Sequence, residues 1–311
     1  MNIPLQSDIR KRIYKAQCIG NIEPIEYMMP YPIMSYLIEG QVINNSKRIV
    51  NKKENIDYSK FHCLIQQCAN WLTDKNYISK ERIILPKLNS FQTEVLIYAI
   101  WEIGAIAVLS KTSISKNLKK IHGVKEILLG KNDLFDTIKT YPKMYNPQYK
   151  PLLSDEAILT FEKGPGIRLS HYNLLINVNG IDKAIRTSEA ESYCCDLNTR
   201  TIDWVIFKAI LPIYSNLMTI DENPDIKIGN LNADFNIRYD LKNYNTFKGN
   251  DIAMCVENSG AIAVGKQPIH LTSFKVKEKH LKLNGHSVMM GYLDAKLNTK
   301  VFKDNSLYVS I

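Results

Sequence analysis

Between residues 58 and 109 the chain alternates helix-like and strand-like segments twice in succession, and this order constrains the fold more than any other feature. Phe61, Leu64, Ile65, Cys68, Ala69 and Leu72 recur at helical spacing, with Asp57 or Ser59 placed to cap the helix. After a polar turn at residues 73–76, Arg82-Ile83-Ile84-Leu85 reads as a short buried strand stopped by Pro86. Asn89 or Ser90 then caps a second helix over residues 91–103, and Gly104 stands where a left-handed residue ends it. Residues 105–109 form the next strand. Helix, strand, helix and strand in this order require crossover connections, hence a mostly parallel sheet covered on both faces.

A further short strand is expected over residues 125–129, and the stretch 142–151, rich in Tyr, Pro and Lys, reads as a boundary. A second unit opens with the apolar run 157–161, passes through a turn, and enters a helix from about Ser170, with Leu174, Leu175 and Val178 on one side. Strand, turn and helix together are the arrangement that binds phosphate. Residues 204–214 are apolar, residues 216–250 are polar and rich in Asn, and from Ala261 onward alternation punctuated by Gly265, Pro268, Gly285 and Gly291 predicts short strands of a small barrel. The fold class expected is α/β, with layered subdomains on mainly parallel sheets and a small C-terminal barrel-like part. The divisions are 1–150 (a lead-in of about the first 50 residues plus the first α/β subdomain), 151–258 (the second) and 259–311 (the β-rich part).

Composition closes off several function classes. Net charge is +9, but the 40 basic residues are scattered. The densest run, at residues 275–282, alternates with apolar residues as one wet face of a strand does, so no nucleic-acid partner is expected. The most apolar stretch, residues 95–109, is too short for a bilayer and contains Glu102 and Gly104, so no membrane span is expected. The N-terminus has no secretory or import signature, and the six cysteines lack metal-site or disulfide spacing. These point to a cytoplasmic protein with free thiols and no metal centre. Adjacent Cys194 and Cys195 read as inert thiols, since nothing nearby lowers a thiol pKa. Ser170-His171 reads as a helix cap followed by a helix-start histidine, because the strained elbow that a hydrolase serine needs is missing.

Four stretches in order resemble the adenylate-forming superfamily, which comprises acyl-CoA and aryl-CoA synthetases, luciferases and the adenylation domains of nonribosomal peptide synthetases. The first is the helix-strand passage at 58–109. The second is 155–175, where Gly166-Ile167-Arg168-Leu169-Ser170-His171-Tyr172-Asn173-Leu174-Leu175 follows the family's phosphate loop. The third, Ala253-Met254-Cys255-Val256-Glu257, stands in register with the family's Tyr-Gly-x-Thr-Glu. The fourth and most specific is 283–311, where Gly285-His286-Ser287-Val288-Met289-Met290-Gly291-Tyr292 is similar to Gly-Pro-Ser-Val-Met-x-Gly-Tyr. The resemblance covers residues 55–311.

It implies an ATP-dependent carboxylate ligase with ATP and magnesium as cofactors, yet the positions that would serve them depart from the pattern. The family's loop reads Thr-Ser-Gly-Thr-Thr-Gly-x-Pro-Lys-Gly, a cradle of amides and hydroxyls with a lysine charge. Here Glu162 leads directly to Lys163-Gly164-Pro165-Gly166: half the loop is missing and Pro165 replaces the lysine. Of the Tyr-Gly-x-Thr-Glu set only Glu257 is kept, read either as a solvated strand-end carboxylate or as a remnant of the metal ligand. The family's ribose-binding aspartate is replaced by Val309-Ser310-Ile311, and its mobile C-terminal domain is not in this sequence.

No catalytic or metal residue is therefore assigned, and Lys163, Gly164, Gly166 and Glu257 are the vestigial nucleotide-binding set. The expectation is a degenerate acyl-CoA synthetase-like protein without a cofactor. It would act as a binding or assembly partner of an active synthetase or an acyl-carrier protein, with an acyl ligand, in fatty-acid or acyl-carrier metabolism. The alternative is an active ligase on a fatty acid, with ATP and magnesium, using a remodelled site or a C-terminal domain from another chain.

Overall fold

The computed structural model describes residues 6–24, 30–111, 114–115, 119–120, 122–129, 133–162, 164–277 and 279–311. Helix α1 spans Gln6–Gln17 and α2 spans Ser35–Asn45. The two expected helices follow as α3 (Tyr58–Asp74) and α4 (Ser90–Glu102). Asp57 caps α3 by accepting the Lys60 amide at 2.7 Å, and Asn89 caps α4 by accepting the Gln92 amide at 2.8 Å, which satisfies donors that the first helical turn leaves open. Helix α4 is buried on every side. It is pinned to its neighbours by the Trp101 indole N–H, which donates to the Ala157 carbonyl at 3.0 Å, and by the Tyr98 hydroxyl, which donates to the Ala209 carbonyl at 2.9 Å. Gly104 ends this passage at φ +72°, where a Cβ would meet the Tyr149 ring at 2.6 Å.

The strands β1 (Ile49–Asn51), β2 (Ile56–Asp57), β3 (Arg82–Ile84), β4 (Ile106–Leu109), β5 (Val124–Glu126), β6 (Glu156–Thr160) and β7 (Ile167–Ser170) come first. Next are β8 (Ser192–Asp196), β9 (Met218–Thr219), β10 (Ile226–Gly229), β11 (Phe235–Arg238), β12 (Asp251–Cys255), β13 (Gly260–Val264) and β14 (Gln267–Pro268). The last are β15 (Thr272–Lys277), β16 (His280–Gly285), β17 (Gly291–Tyr292), β18 (Phe302–Lys303) and β19 (Ser306–Ser310).

Among the described residues they form three sheets. One is six-stranded, ordered β17-β7-β6-β4-β3-β5, with β5, β3, β4 and β6 parallel and β7 and β17 antiparallel at one edge. This sheet takes strands from each of the segments 1–150, 151–258 and 259–311. A nine-stranded sheet, ordered β14-β13-β12-β11-β10-β8-β9-β1-β2, is parallel through its centre and antiparallel at both margins. A small antiparallel sheet, β15-β16-β19-β18, completes the mixed α/β architecture. Its strand β15 holds Lys275 and Lys277 on the outward face, as the alternation predicts.

Three local expectations are adjusted. The strand expected at 125–129 is Val124–Glu126, since register with β3 rather than the apolar run sets its ends. The polar stretch 216–250 holds β9, β10 and β11, each short and paired in parallel, with Ile226, Ile228 and Ile237 supplying the buried contacts. The small sheet begins at Thr272, because residues 260–268 belong to the nine-stranded sheet.

Further helices are α5 (Leu134–Ile138), α6 (His171–Ile185) and a composite α7, made of Ile202–Trp204, a π-wound stretch Val205–Ile210 and Leu211–Tyr214. Pro212 offers no amide to the helical ladder, which accounts for the wider winding just before it. Helix α8 is Ala295–Val301. No helix of the described residues is long and apolar enough to cross a membrane.

Candidate functional site

The strand-turn-helix expectation needs correction. The turn after β6 feeds β7, which runs back antiparallel, and α6 begins only at the far end of β7. The 4 residues of β7 separate the turn from the helix N-terminus by about 13 Å, so the helix dipole does not face the turn. That N-terminus is closed by the chain itself. The Ser170 side chain accepts the Asn173 amide at 3.1 Å, and the Asn173 side chain accepts the Ser170 amide at 3.1 Å, a reciprocal capping box. His171 is buried beside Trp101, and loss of hydration lowers its pKa to about 4. The Ser170-His171 pair is a cap and a packed imidazole.

Of the vestigial set, Lys163 lies outside the described residues. Gly164 and Gly166 adopt φ +91° and +73°. A Cβ on Gly164 would meet open space, whereas one on Gly166 would lie 2.6 Å from Leu293 Cδ1 and 3.2 Å from the Phe161 ring. Gly166 is thus required by packing as well as by backbone conformation. The turn's amides are largely engaged. Phe161 N–H donates to Leu109 at 3.0 Å, Gly164 N–H to Phe161 at 3.1 Å and Glu162 N–H to the Thr160 hydroxyl at 3.3 Å, while Pro165 has none to offer.

Glu162 makes a contact that sequence reasoning did not reach. Its side chain is 6% exposed and turns inward, where Oε1 accepts the backbone N–H of Ile202 at 2.6 Å, at the start of α7. The Thr160 hydroxyl lies 3.3 Å from the same oxygen, and Lys111 Nζ, on the solvent side, lies 3.7 Å from Oε2. Burial pushes the carboxyl pKa upward, and the Ile202 amide opposes this by holding the charged form. The 40-residue separation hides this contact from any local pattern.

Glu257 is also corrected: it is buried at 2% exposure in the turn between β12 and β13, not a solvated strand end. Its oxygens are approached by the Tyr292 hydroxyl at 3.2 Å and by Cys255 Sγ at 3.3 Å, and its carbonyl accepts the Met289 amide at 2.9 Å. Burial first, and the Glu257 carboxylate second, push the Tyr292 phenol pKa far up, so Tyr292 remains a donor. Strand β17 thereby joins the two parts of the site. Tyr292 reaches Glu257, and the next residue, Leu293, donates its amide to the Gly166 carbonyl at 2.9 Å.

Asn177 of α6 locks the same turn. Its Nδ2 donates to the carbonyls of Asn258 at 3.0 Å and Ala261 at 2.8 Å, and its Oδ1 accepts the Ala261 amide at 3.1 Å. A polar residue at a core position between Leu174 and Ile181 was the available signal for this role. Elsewhere Cys194 and Cys195 carry thiol pKa values raised by burial, in keeping with inert thiols. No group of three or more His, Cys, Asp or Glu side chains converges as a metal cluster among the described residues.

The three-sheet α/β architecture matches the fold of the large N-terminal domain of adenylate-forming enzymes. Solved structures agree with it. O-Succinylbenzoate CoA synthetase from Bacillus subtilis, in complex with its acyl-adenylate intermediate, superposes with TM-score 0.68 at 11% identity, over 87% of this chain and 93% of that one. A long-chain-fatty-acid-CoA ligase from Archaeoglobus fulgidus gives 0.71 at 12% identity, over 91% and 81%. The N-terminal subdomain of NpsA from Klebsiella oxytoca gives 0.71 at 13% identity, over 90% and 96%. No protein-family model and no curated protein matches the sequence. Identities this low establish the fold and leave the chemistry to the residues of this chain.

Proposed function

We propose that this chain is a non-catalytic member of the adenylate-forming fold, a cytoplasmic binding or assembly partner in fatty-acid or acyl-carrier metabolism that uses no nucleotide cofactor. The carrying observation is Glu162: the shortened turn seats a carboxylate on the Ile202 amide. A triphosphate needs free amides and positive charge. The turn instead supplies a buried anion, amides already donated at Phe161, Glu162 and Gly164, and Pro165. Glu257 supports the same reading, since its carboxylate is held by Tyr292 and Cys255 and a lone carboxylate is a weak magnesium site. ATP and magnesium do not fit the residues described. The partners that suit this role are an active synthetase or an acyl-carrier protein, with an acyl group as the accompanying ligand.

Titration calorimetry with ATP and magnesium, in the presence of a fatty acid, tests the proposal, and no heat is expected. Carboxylate-dependent pyrophosphate exchange well above that of Glu257→Ala would overturn it in favour of an active ligase.

A further inference from the structure

A cleft of about 1480 Å³ lies between α1, the β7-β17 edge and α8. It reaches Ser154, Ser170 and Asn173, at the end of the β6-β7 hairpin opposite the 161–166 turn, and Tyr292 and Leu293 form the wall it shares with the site described above. Its apolar lining comes from Ile9 and Ile13 of α1 and from Met290 and Leu293. The polar side chains deeper in are already engaged with the chain. Asn173 Nδ2 donates to the His286 carbonyl at 2.9 Å, Asn298 exchanges bonds with the Tyr292 backbone at 2.7 and 2.9 Å, and Gln17 donates to the Val288 carbonyl at 2.9 Å. Arg168 is likewise neutralised by Glu156 at 2.7 Å.

What remains is a rim of cations. Arg10, Lys296 and Lys300 are exposed, and among the described residues they make no ion pair and no Asp or Glu lines the cleft. Two acids nearby are engaged. Glu23 bonds the Tyr14 hydroxyl, and Asp294 caps α8 by accepting the Lys296 amide at 2.8 Å. Lys296 and Lys300 stand one helical turn apart on α8, facing the same way.

We infer that this cleft receives an acidic amphipathic helix of a partner protein, its apolar face on Ile9, Ile13, Met290 and Leu293 and its carboxylates on Arg10, Lys296 and Lys300. Two features select this occupant. The volume exceeds the roughly 300–1,000 Å³ of pockets for small ligands and suits a helix laid between two helical walls. The unpaired charged side chains that line the cleft have one sign, so the partner face must carry the other. The inference does not rest on the absence of nucleotide binding, because neither Glu162 nor Glu257 lines the cleft.

Fluorescence polarisation with the whole chain tests it. The probe is a labelled helical peptide of about 16 residues, with Leu at i, i+3, i+4 and i+7 and Glu elsewhere. Binding is expected to weaken at least about tenfold in the Lys296→Glu/Lys300→Glu variant, and to weaken as salt rises from about 0.05 to about 0.5 M. Ala295→Trp, which places bulk at the cleft from an exposed position, weakens it without charge change. Thermal melts confirm that each variant folds. Lack of binding to the wild-type chain overturns the inference, as does equal binding by the charge-reversed variant or equal binding of a peptide with Lys in place of Glu. Displacement of the peptide by laurate, with the same dependence on Lys296 and Lys300, overturns it in favour of a small amphipathic anion.

Discussion

The carboxylate of Glu162 accepts the backbone N–H of Ile202 at 2.6 Å and so ties the β6-β7 turn to the start of α7. Charged hydrogen bonds of this kind contribute more than neutral ones, and an abandoned buried donor adds a desolvation penalty. Glu162→Ala is expected to destabilise the chain by about 1–3 kcal/mol, and Glu162→Gln by less, because an amide oxygen still accepts. Urea midpoints at pH 7 check the order, which an alanine variant as stable as wild type would refute. The pH dependence has a defined sign. A carboxyl whose folded pKa is raised stabilises most when protonated, so its contribution is present below the ordinary glutamate range and is lost as pH rises through the raised folded value. The glutamine variant lacks that portion of the profile.

His171 acts in the opposite direction. Its folded pKa of about 4 lies below the unfolded value near 6.5, so the unfolded chain takes up the proton first and stability falls as pH drops between the two. The loss approaches about 3 kcal/mol at the acid end as an upper bound. In His171→Phe this slope is expected to shrink, as read from urea midpoints at pH 7 and pH 5, while His62, His270 and His286, also lowered by burial, keep theirs. An unchanged slope would show that another group carries it.

Asn177 and Gly260 form a coupled pair. Asn177→Ala removes the partner of the Ala261 amide and the Asn258 carbonyl in the core, while the Ala261 carbonyl keeps the Asn258 Nδ2 bond at 2.9 Å, an expected loss of about 2–3 kcal/mol. A Cβ on Gly260 would lie 2.6 Å from Asn177 Oδ1, at φ +147°, so Gly260→Ala is destabilising as well. Part of its effect disappears when Asn177 is already Ala. A double-mutant cycle should give an interaction above about 0.5 kcal/mol, and simple additivity would contradict the geometry.

Gly164 and Gly166 separate backbone strain from packing. Both have positive φ, so alanine at either carries a left-handed penalty of about 1–2 kcal/mol. Only Gly166→Ala also meets Leu293 and Phe161, which adds about 1–3 kcal/mol. Thermal melts of the two variants should differ accordingly, and equal melting temperatures would exclude the packing contribution.

The elements at 58–109 were legible because each is specified locally. Caps at Asp57 and Asn89, helical spacing, and Gly104 at φ +72° act within a few residues of one another. The helix cap at Ser170 was legible for the same reason, since its partner Asn173 is 3 residues away. The site was less so. Glu257 was open between a solvated and a metal-bound carboxylate, and its actual partner, Tyr292, lies 35 residues along the chain. The strands within residues 216–250 escaped notice because parallel pairing depends on backbone bonds to distant neighbours rather than on a local apolar period.

From sequence alone came the α/β class, the capped helices, the wet lysine face and the resemblance that the superposed structures bear out as a fold. Local dihedral preference and apolar periodicity are enough for these. Tertiary structure alone decided that β7 separates the phosphate-like turn from α6, that Glu162 is held by Ile202, that Glu257 is sealed by Tyr292, and that a cation-rimmed cleft opens beside them. Each depends on which distant groups come within a few ångströms of one another. A carboxylate's role follows from the donors that reach it, and those donors are chosen by the packing of the whole chain.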